Sequence, residues 1–253
     1  MLMPDDWLES PQGRYIMDWE QQKIDALVSD IFGYNALQIG MAQKNLLRQS
    51  RIPLQKKVAE RALSEAEHKN PTASQFGVDI HSDLRQLPFA TQSIDLVVLP
   101  HVLEFHEDPH QILREVARIL IPGGQLIIAG FNPLSLWGLR QHIPSTRTQF
   151  PWHGHYFSVA RLKDWLKLLG CELERGHFGR YAPPCSEAKW FSRLNFMEAA
   201  GDRWWSFAGS VYLLRAIKRV HGMRLILPSW QAKGAPRKAL SALTHQEIKQ
   251  HEQ

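Results

Sequence analysis

The sequence predicts an α/β fold, a mostly parallel sheet with helices on both faces, and three observations carry that reading. First, Ile94 to Leu99 is an almost unbroken apolar run with two valines and an isoleucine, the composition of a strand covered on both faces. Second, Asp108-Pro109 reads as a helix start, because an Asp side chain accepts from free N–H groups and proline lacks only a donor that had no partner. The helix runs to about Leu120, with Ile112, Leu113, Val116, Ile119 and Leu120 on one face and Arg114, Glu115 and Arg118 outside it. Third, Pro122-Gly123-Gly124 ends it and Gln125 to Ala129 is a second apolar run. Strand, helix and strand within about 36 residues make a right-handed crossover. Such units bind small molecules at the carboxyl ends of their strands, here Pro100-His101 and Gly130-Phe131-Asn132.

The other elements follow from the same rules. Ser10-Pro11 opens a helix carrying Tyr15, Ile16, Trp19, Ile24, Leu27, Val28 and Ile31 on one side, with Gly33 as its stop. Asn35 to Gly40 is a strand. Between Asn45 and Ala73 the chain is polar, and Gln55 to Glu60 reads either as a strand or as part of a helix from Leu54 through Ala66, rich in Ala, Glu, Lys and Leu. Ser74 to Ile80 reads as a strand. Ser158 caps a helix from Val159 to Leu169 that Gly170 ends, and Cys171 to Phe178 follows as a strand. Phe191 to Trp205 is a helix or loop before a last strand, Val211 to Ile217. The predicted organisation is an N-terminal helical segment (1–34), a main domain (35–220) and a basic tail (221–253), aperiodic and predicted disordered beyond Pro228.

At 253 residues and 44% apolar, the chain can bury a sizeable core. Its two cysteines, Cys171 and Cys185, suggest neither a disulfide framework nor a zinc site, and a reducing compartment fits them. Acids stand where a secretory signal would have bases, and no apolar run approaches the ~20 residues of a membrane span. The expected location is cytoplasmic. Net charge is +5, unevenly spread: Arg203 to Gln246 holds eight Lys or Arg and no acid, against 22 bases and 25 acids elsewhere. That field favours an anionic partner, nucleic acid or acidic lipid.

LPF, then SIDLVV, a short polar bridge, HEDP, an amphipathic helix ending RIL, and IPGGQLII form an ordered set. It resembles the central and C-terminal motifs of the class I S-adenosylmethionine-dependent methyltransferases, most nearly the subgroup that includes the quinone-biosynthesis C-methyltransferases. The likeness is dense from Asp83 to Asn132 and looser from Asn35 to about Gly179. It implies a Rossmann-like seven-stranded sheet whose last strand is antiparallel, and S-adenosylmethionine as cofactor.

The resemblance also assigns roles to residues. Gly40 matches the glycine after the first strand, but Gln38 stands where the family has an acid, and Met41 to Asn45 supply none of its later glycines. A carboxylate restored by Gln38→Asp is expected to tighten binding. Either Glu60 or Asp79 would hold the ribose hydroxyls. Asp83 would accept from the adenine amino group, with Leu84 beside the ring. His101 would contact the cofactor or act as a base with a pKa suited to neutral pH, and Glu104 is the other acid–base candidate. Asn132, Ser135 and Trp137 are candidates for the acceptor pocket, with the aromatic stretch through Tyr156 as its lid. His153 and His155 lack a third ligand at fixed spacing, so no metal is expected.

Two functions are in view. One is methyl transfer to a small-molecule acceptor. The other is a non-catalytic S-adenosylmethionine-binding or RNA-associated module that has kept the fold, since fold alone does not give function.

Overall fold

The computed structural model describes residues 5–60, 77–143, 150–185 and 187–219. Seven strands form one sheet: β1 (Asn35–Ile39), β2 (Leu54–Glu60), β3 (Ile80–Ser82), β4 (Ile94–Pro100), β5 (Leu120–Phe131), β6 (Cys171–Gly179) and β7 (Val211–Lys218), in the order β3-β2-β1-β4-β5-β7-β6. β1 to β5 pair in parallel, while β7 runs antiparallel between β5 and β6. The order reverses direction between β1 and β4. A cleft opens there because the connections leave to opposite sides of the sheet.

The ambiguity at Gln55 to Glu60 resolves as a strand, because Leu54 to Val58 pair in parallel register with Asn35 to Ile39. The strand expected over Ser74 to Ile80 is corrected: it is β3, Ile80–Ser82. Asp79 stops short of it because its carboxylate accepts from the Lys57 amide at 2.8 Å and from Lys56 Nζ at 3.0 Å, fixing the turn that leads into β3. β5 begins five residues earlier than Gln125. Leu120 pairs with Ile94, the register then shifts, and Pro122-Gly123-Gly124 sit within the strand's irregular start, with Gly123 at φ +81°.

Helices cover both faces. On one side lie α3 (Pro109–Ile119) and, following α4 (Leu136–Arg140), α5 (Val159–Leu168), burying Ile112, Val116, Leu162 and Leu166 against Leu37, Val97 and Leu99. On the other lie α1 (Asp5–Glu9) and α2 (Pro11–Ser29), burying Ile16, Ile24 and Val28 against Leu96, Val98 and Ile127. The predicted caps hold: Ser10, Asp108 and Ser158 accept from the amides of Gly13, Gln111 and Arg161. The segment before β7 folds as α6 (Ala188–Arg193), α7 (Phe196–Trp204) and a 3₁₀ turn, Ser206–Ala208. The tail predicted beyond residue 220 lies outside the described residues. Among the described residues no helix is long and apolar enough to cross a membrane.

Candidate active site

At the reversal point, the ends of β1, β2 and β4 enclose a cleft lined by Gly40, Met41, Glu60, Leu84, Pro100, Val102 and the aromatic pair Phe105 and Phe150. Gly40 has φ +84°, and a methyl group there would meet Val102 Cγ2 at 2.6 Å, so the backbone must be bare. The cleft holds only ≈ 30 Å³, space for about two waters, because Phe105 and Phe150, stacked at 4.9 Å, wall it. Its chemistry fits an adenosine nonetheless: a carboxylate, a close-approach glycine and apolar faces.

Gln38 does not reach into this cleft. Its side chain is fully buried, with Nε2 donating to the carbonyls of Gly40, Met41 and Lys44 and Oε1 accepting from the Leu46 amide. The expectation that Gln38 contacts the cofactor is therefore corrected: the side chain is spent on tying down the loop. A carboxylate could accept from Leu46 but would face three carbonyl oxygens.

Of the two acids proposed for one role, Glu60 lines the cleft at the end of β2. Asp79 is corrected to a turn residue held by Lys56 and Lys57. Leu84 lines the cleft, whereas Asp83 turns its carboxylate to the amide and guanidinium of Arg85, its side chain 44% exposed. Arg85 holds the Asp83 carboxyl below its usual range. The loop carrying Leu84 is anchored from α3. Glu115 accepts from the Leu87 amide, and Arg118, ion-paired to Glu115 at 2.8 Å, donates to the carbonyls of Leu87 and Phe89.

His101 adopts φ +50°, strained for a side-chain-bearing residue. Its side chain is wholly buried, Nδ1 lying 2.8 Å from Glu104 Oε2 and Nε2 2.8 Å from Glu20 Oε1 on α2. Burial alone would lower the imidazole pKa, but the two carboxylates and their hydrogen bonds outweigh it and raise the pKa to about 10. Glu104 is pushed up by burial against the pull of His101, and its Oε1 also accepts from the Phe131 amide. An imidazolium with both nitrogens committed has no lone pair to offer. The expected acid–base roles of His101 and Glu104 are corrected to a structural one, tying α2 to the ends of β4 and β5, while His101 is also among the residues that line the cleft.

Three acceptor candidates are corrected likewise. Asn132 Nδ2 donates to the carbonyls of Phe207 and Gly209 while Oδ1 accepts from the Leu134 amide. Ser135 caps α4 through the Gly138 amide. Trp137 is fully buried, its indole donating to the Ala182 carbonyl. Tyr156 stands differently. It lines a second cavity of ≈ 640 Å³ with His106, His110, Trp152, Arg161 and Trp165. Its hydroxyl is buried without a hydrogen-bond partner. Burial, reinforced by Glu104, raises its pKa, so it remains a donor.

Sequence reasoning missed Glu20 and did not assign His106. Glu20 had a signal, a carboxylate midway between Ile16 and Ile24 on the apolar stripe of α2. His106 walls both the cleft and the second cavity, its Nε2 3.3 Å from Glu60 Oε1 and its Nδ1 accepting from the Asp108 amide at 3.1 Å.

Two outcomes follow. Gln38→Ala should cost about 2 to 4 kcal/mol in urea unfolding, because buried carbonyls and an amide lose their partner, and Gln38→Asp should also destabilise the fold, reversing the sequence expectation. For His101, a folded pKa raised above the ordinary 6.5 means stability fully present below about pH 6.5 and lost as pH rises through about 10. Urea midpoints should therefore fall across that window in the wild type, and this slope should be absent from His101→Gln.

A family model described as a methyltransferase domain matches residues 40–128. The uncharacterized protein YafS of Escherichia coli is 32% identical over 173 residues, 68% of this chain and 67% of that protein. Demethylmenaquinone methyltransferase of Chlamydia pneumoniae is 41% identical over 87 residues, 34% of this chain and 33% of that one. Among solved structures, an S-adenosylmethionine-dependent methyltransferase from Thermotoga maritima superposes with a TM-score of 0.59 at 18% identity, covering 85% of this chain and 94% of that one. With the sheet order and the cleft at β1 and β4, these place the chain in the class I S-adenosylmethionine-dependent methyltransferase family, whose cofactor is S-adenosylmethionine.

Proposed function

We propose that this chain transfers a methyl group from S-adenosylmethionine to a small-molecule acceptor held in the cavity lined by His106, Tyr156 and Trp165. The observation that carries the acceptor side is Tyr156, which lines an open cavity beside the cofactor cleft and whose buried hydroxyl has no hydrogen-bond partner. Such a group costs stability unless something else accepts from it.

On this reading Glu60 accepts from the ribose hydroxyls, Gly40 allows close backbone approach and Leu84 packs on the adenine. When bound, the cofactor supplies a methyl group activated by its sulfonium charge. His106 donates from Nε2 to Glu60, consistent with its Nδ1 accepting from Asp108, and so orients the carboxylate while standing between the two cavities. Phe105 and Phe150 part to admit the nucleoside and exclude water once it is in. Tyr156 donates to a heteroatom of the acceptor and orients it. Methyl transfer is an in-line displacement that depends on proximity more than on proton transfer, which agrees with a site whose buried histidine is fully engaged.

Calorimetry with S-adenosylhomocysteine tests the cofactor side. Glu60→Gln should weaken binding about ten- to a hundredfold, as for a lost charged hydrogen bond, while Asp79→Asn should leave it within about twofold. The absence of binding at millimolar ligand would instead favour the non-catalytic module. Methyl-labelled S-adenosylmethionine incubated with a low-molecular-mass cell extract tests the acceptor side. Label should enter that fraction, and Tyr156→Phe should reduce the transfer without changing the S-adenosylhomocysteine dissociation constant. Label entering RNA alone would overturn the small-molecule reading.

A further inference from the structure

α6 and α7 are amphipathic in an unusual sense. α6 buries none of its residues and α7 buries only Gly201. Phe191 stacks on Tyr15 of α2, but other aromatic side chains point outward: Phe196 is 67% exposed and Trp204 73%, with Phe207 in the following turn at 62%. Next to them, around α4, Leu134 and Leu139 are 68% and 66% exposed. A shallow depression lined by Leu134, Leu136, Leu139, Met197 and Trp205 joins the two groups into one apolar surface. Apolar residues concentrated on one exposed face mark a contact with another phase or another molecule.

The charges around this surface say which. Both acids of these helices are engaged, Glu198 accepting from the Tyr15 hydroxyl and the Tyr181 amide and the exposed Asp202 from the Tyr181 hydroxyl. Glu187 is ion-paired to Lys189. Arg193 and Arg203 stand exposed at the rim. We infer that this face docks on an anionic lipid bilayer, with Phe196, Trp204 and Phe207 at headgroup depth, the exposed leucines below them and the arginines on lipid phosphates. Tryptophan and phenylalanine beside arginine are what an interfacial helix presents to a membrane surface. A nucleic acid would leave the exposed leucines in water.

The docking face is independent of the catalytic reading, because His142 alone is shared between this depression and the acceptor cavity. The test is flotation of the full chain with vesicles of phosphatidylcholine containing phosphatidylglycerol and with phosphatidylcholine alone, alongside sedimentation velocity without lipid. The wild type should bind the anionic vesicles. Phe196→Ser with Trp204→Ser should weaken partition by at least about tenfold, from the lost apolar burial, and Leu134→Ser with Leu139→Ser should do the same from the other side of the depression. Arg193→Gln with Arg203→Gln should reduce the preference for anionic over neutral vesicles, while Leu168→Ser, 86% exposed on α5, should change nothing. The proposal is overturned if the wild type does not float, or if both apolar pairs float as the wild type does, which would put the binding in the basic C-terminal sequence. A dimer dissociated by the apolar pairs, in a wild type that does not float, would assign the face to a second copy.

Discussion

The arrangement on which the ligand end of this sheet depends is one imidazolium between two carboxylates. Glu20, His101 and Glu104 come from a helix and from the loop after β4, and all three are withdrawn from water. Burying one such charge without partners would cost far more than the fold could offset. Together they hold each other, and the Phe131 amide takes up a further oxygen of Glu104. The consequence reaches the backbone: His101 remains at φ +50° because both ring nitrogens are pinned, and its position fixes the path of Val102 past Gly40. Breaking one pair would release α2, the β4 end and the β5 end at once.

The same economy appears at the first turn. A glycine-rich loop keeps its shape because small residues permit tight angles. Here Met41 takes a positive φ of 43° without that freedom, and the shape comes instead from Gln38, whose amide gathers three carbonyls on one side and receives an amide on the other. A neutral side chain can do this where a carboxylate cannot, because only the amide both donates and accepts. The departure from the family's acid at this position thus reads as an exchange of ligand contact for loop rigidity.

The fold was legible because its signals are local. Apolar runs and caps specify β1, β4, α2, α3 and α5 within their own windows, and the ordered motifs gave the sheet, although of the expected glycine stops only Gly170 stands at its helix end, α2 closing at Ser29 and α3 at Ile119. What was not legible was how polar side chains are spent. Gln38, His101, Asn132 and Ser135 occupy positions beside the ligand ends of strands, and nothing in a sequence says whether such a group faces a cavity or a neighbouring backbone. Glu60 and Asp79 were indistinguishable for the same reason, until the pairing of Lys56 and Lys57 with Asp79 separated them. Glu20 was overlooked because a lone carboxylate in an apolar stripe finds its meaning only in a partner 81 positions away.

Those commitments constrain where recognition of the acceptor can lie. The polar groups at the end of β5 are consumed in holding that strand to the segment before β7 and in capping α4, so they cannot turn to a ligand without loosening the sheet edge. The stretch after residue 150 is placed differently. The His155 amide donates to the Glu104 carbonyl, which anchors this stretch to the loop after β4, while the neighbouring Tyr156 lines a cavity and keeps a buried, unpartnered hydroxyl. A rigid anchor with a free donor beside it is the arrangement in which orientation of a bound molecule costs least, because the donor is already desolvated and its ring is held by stacking on Phe131 at 5.2 Å. On the proposed reading, discrimination among acceptors belongs to the 150–165 segment, and the strand ends supply the frame.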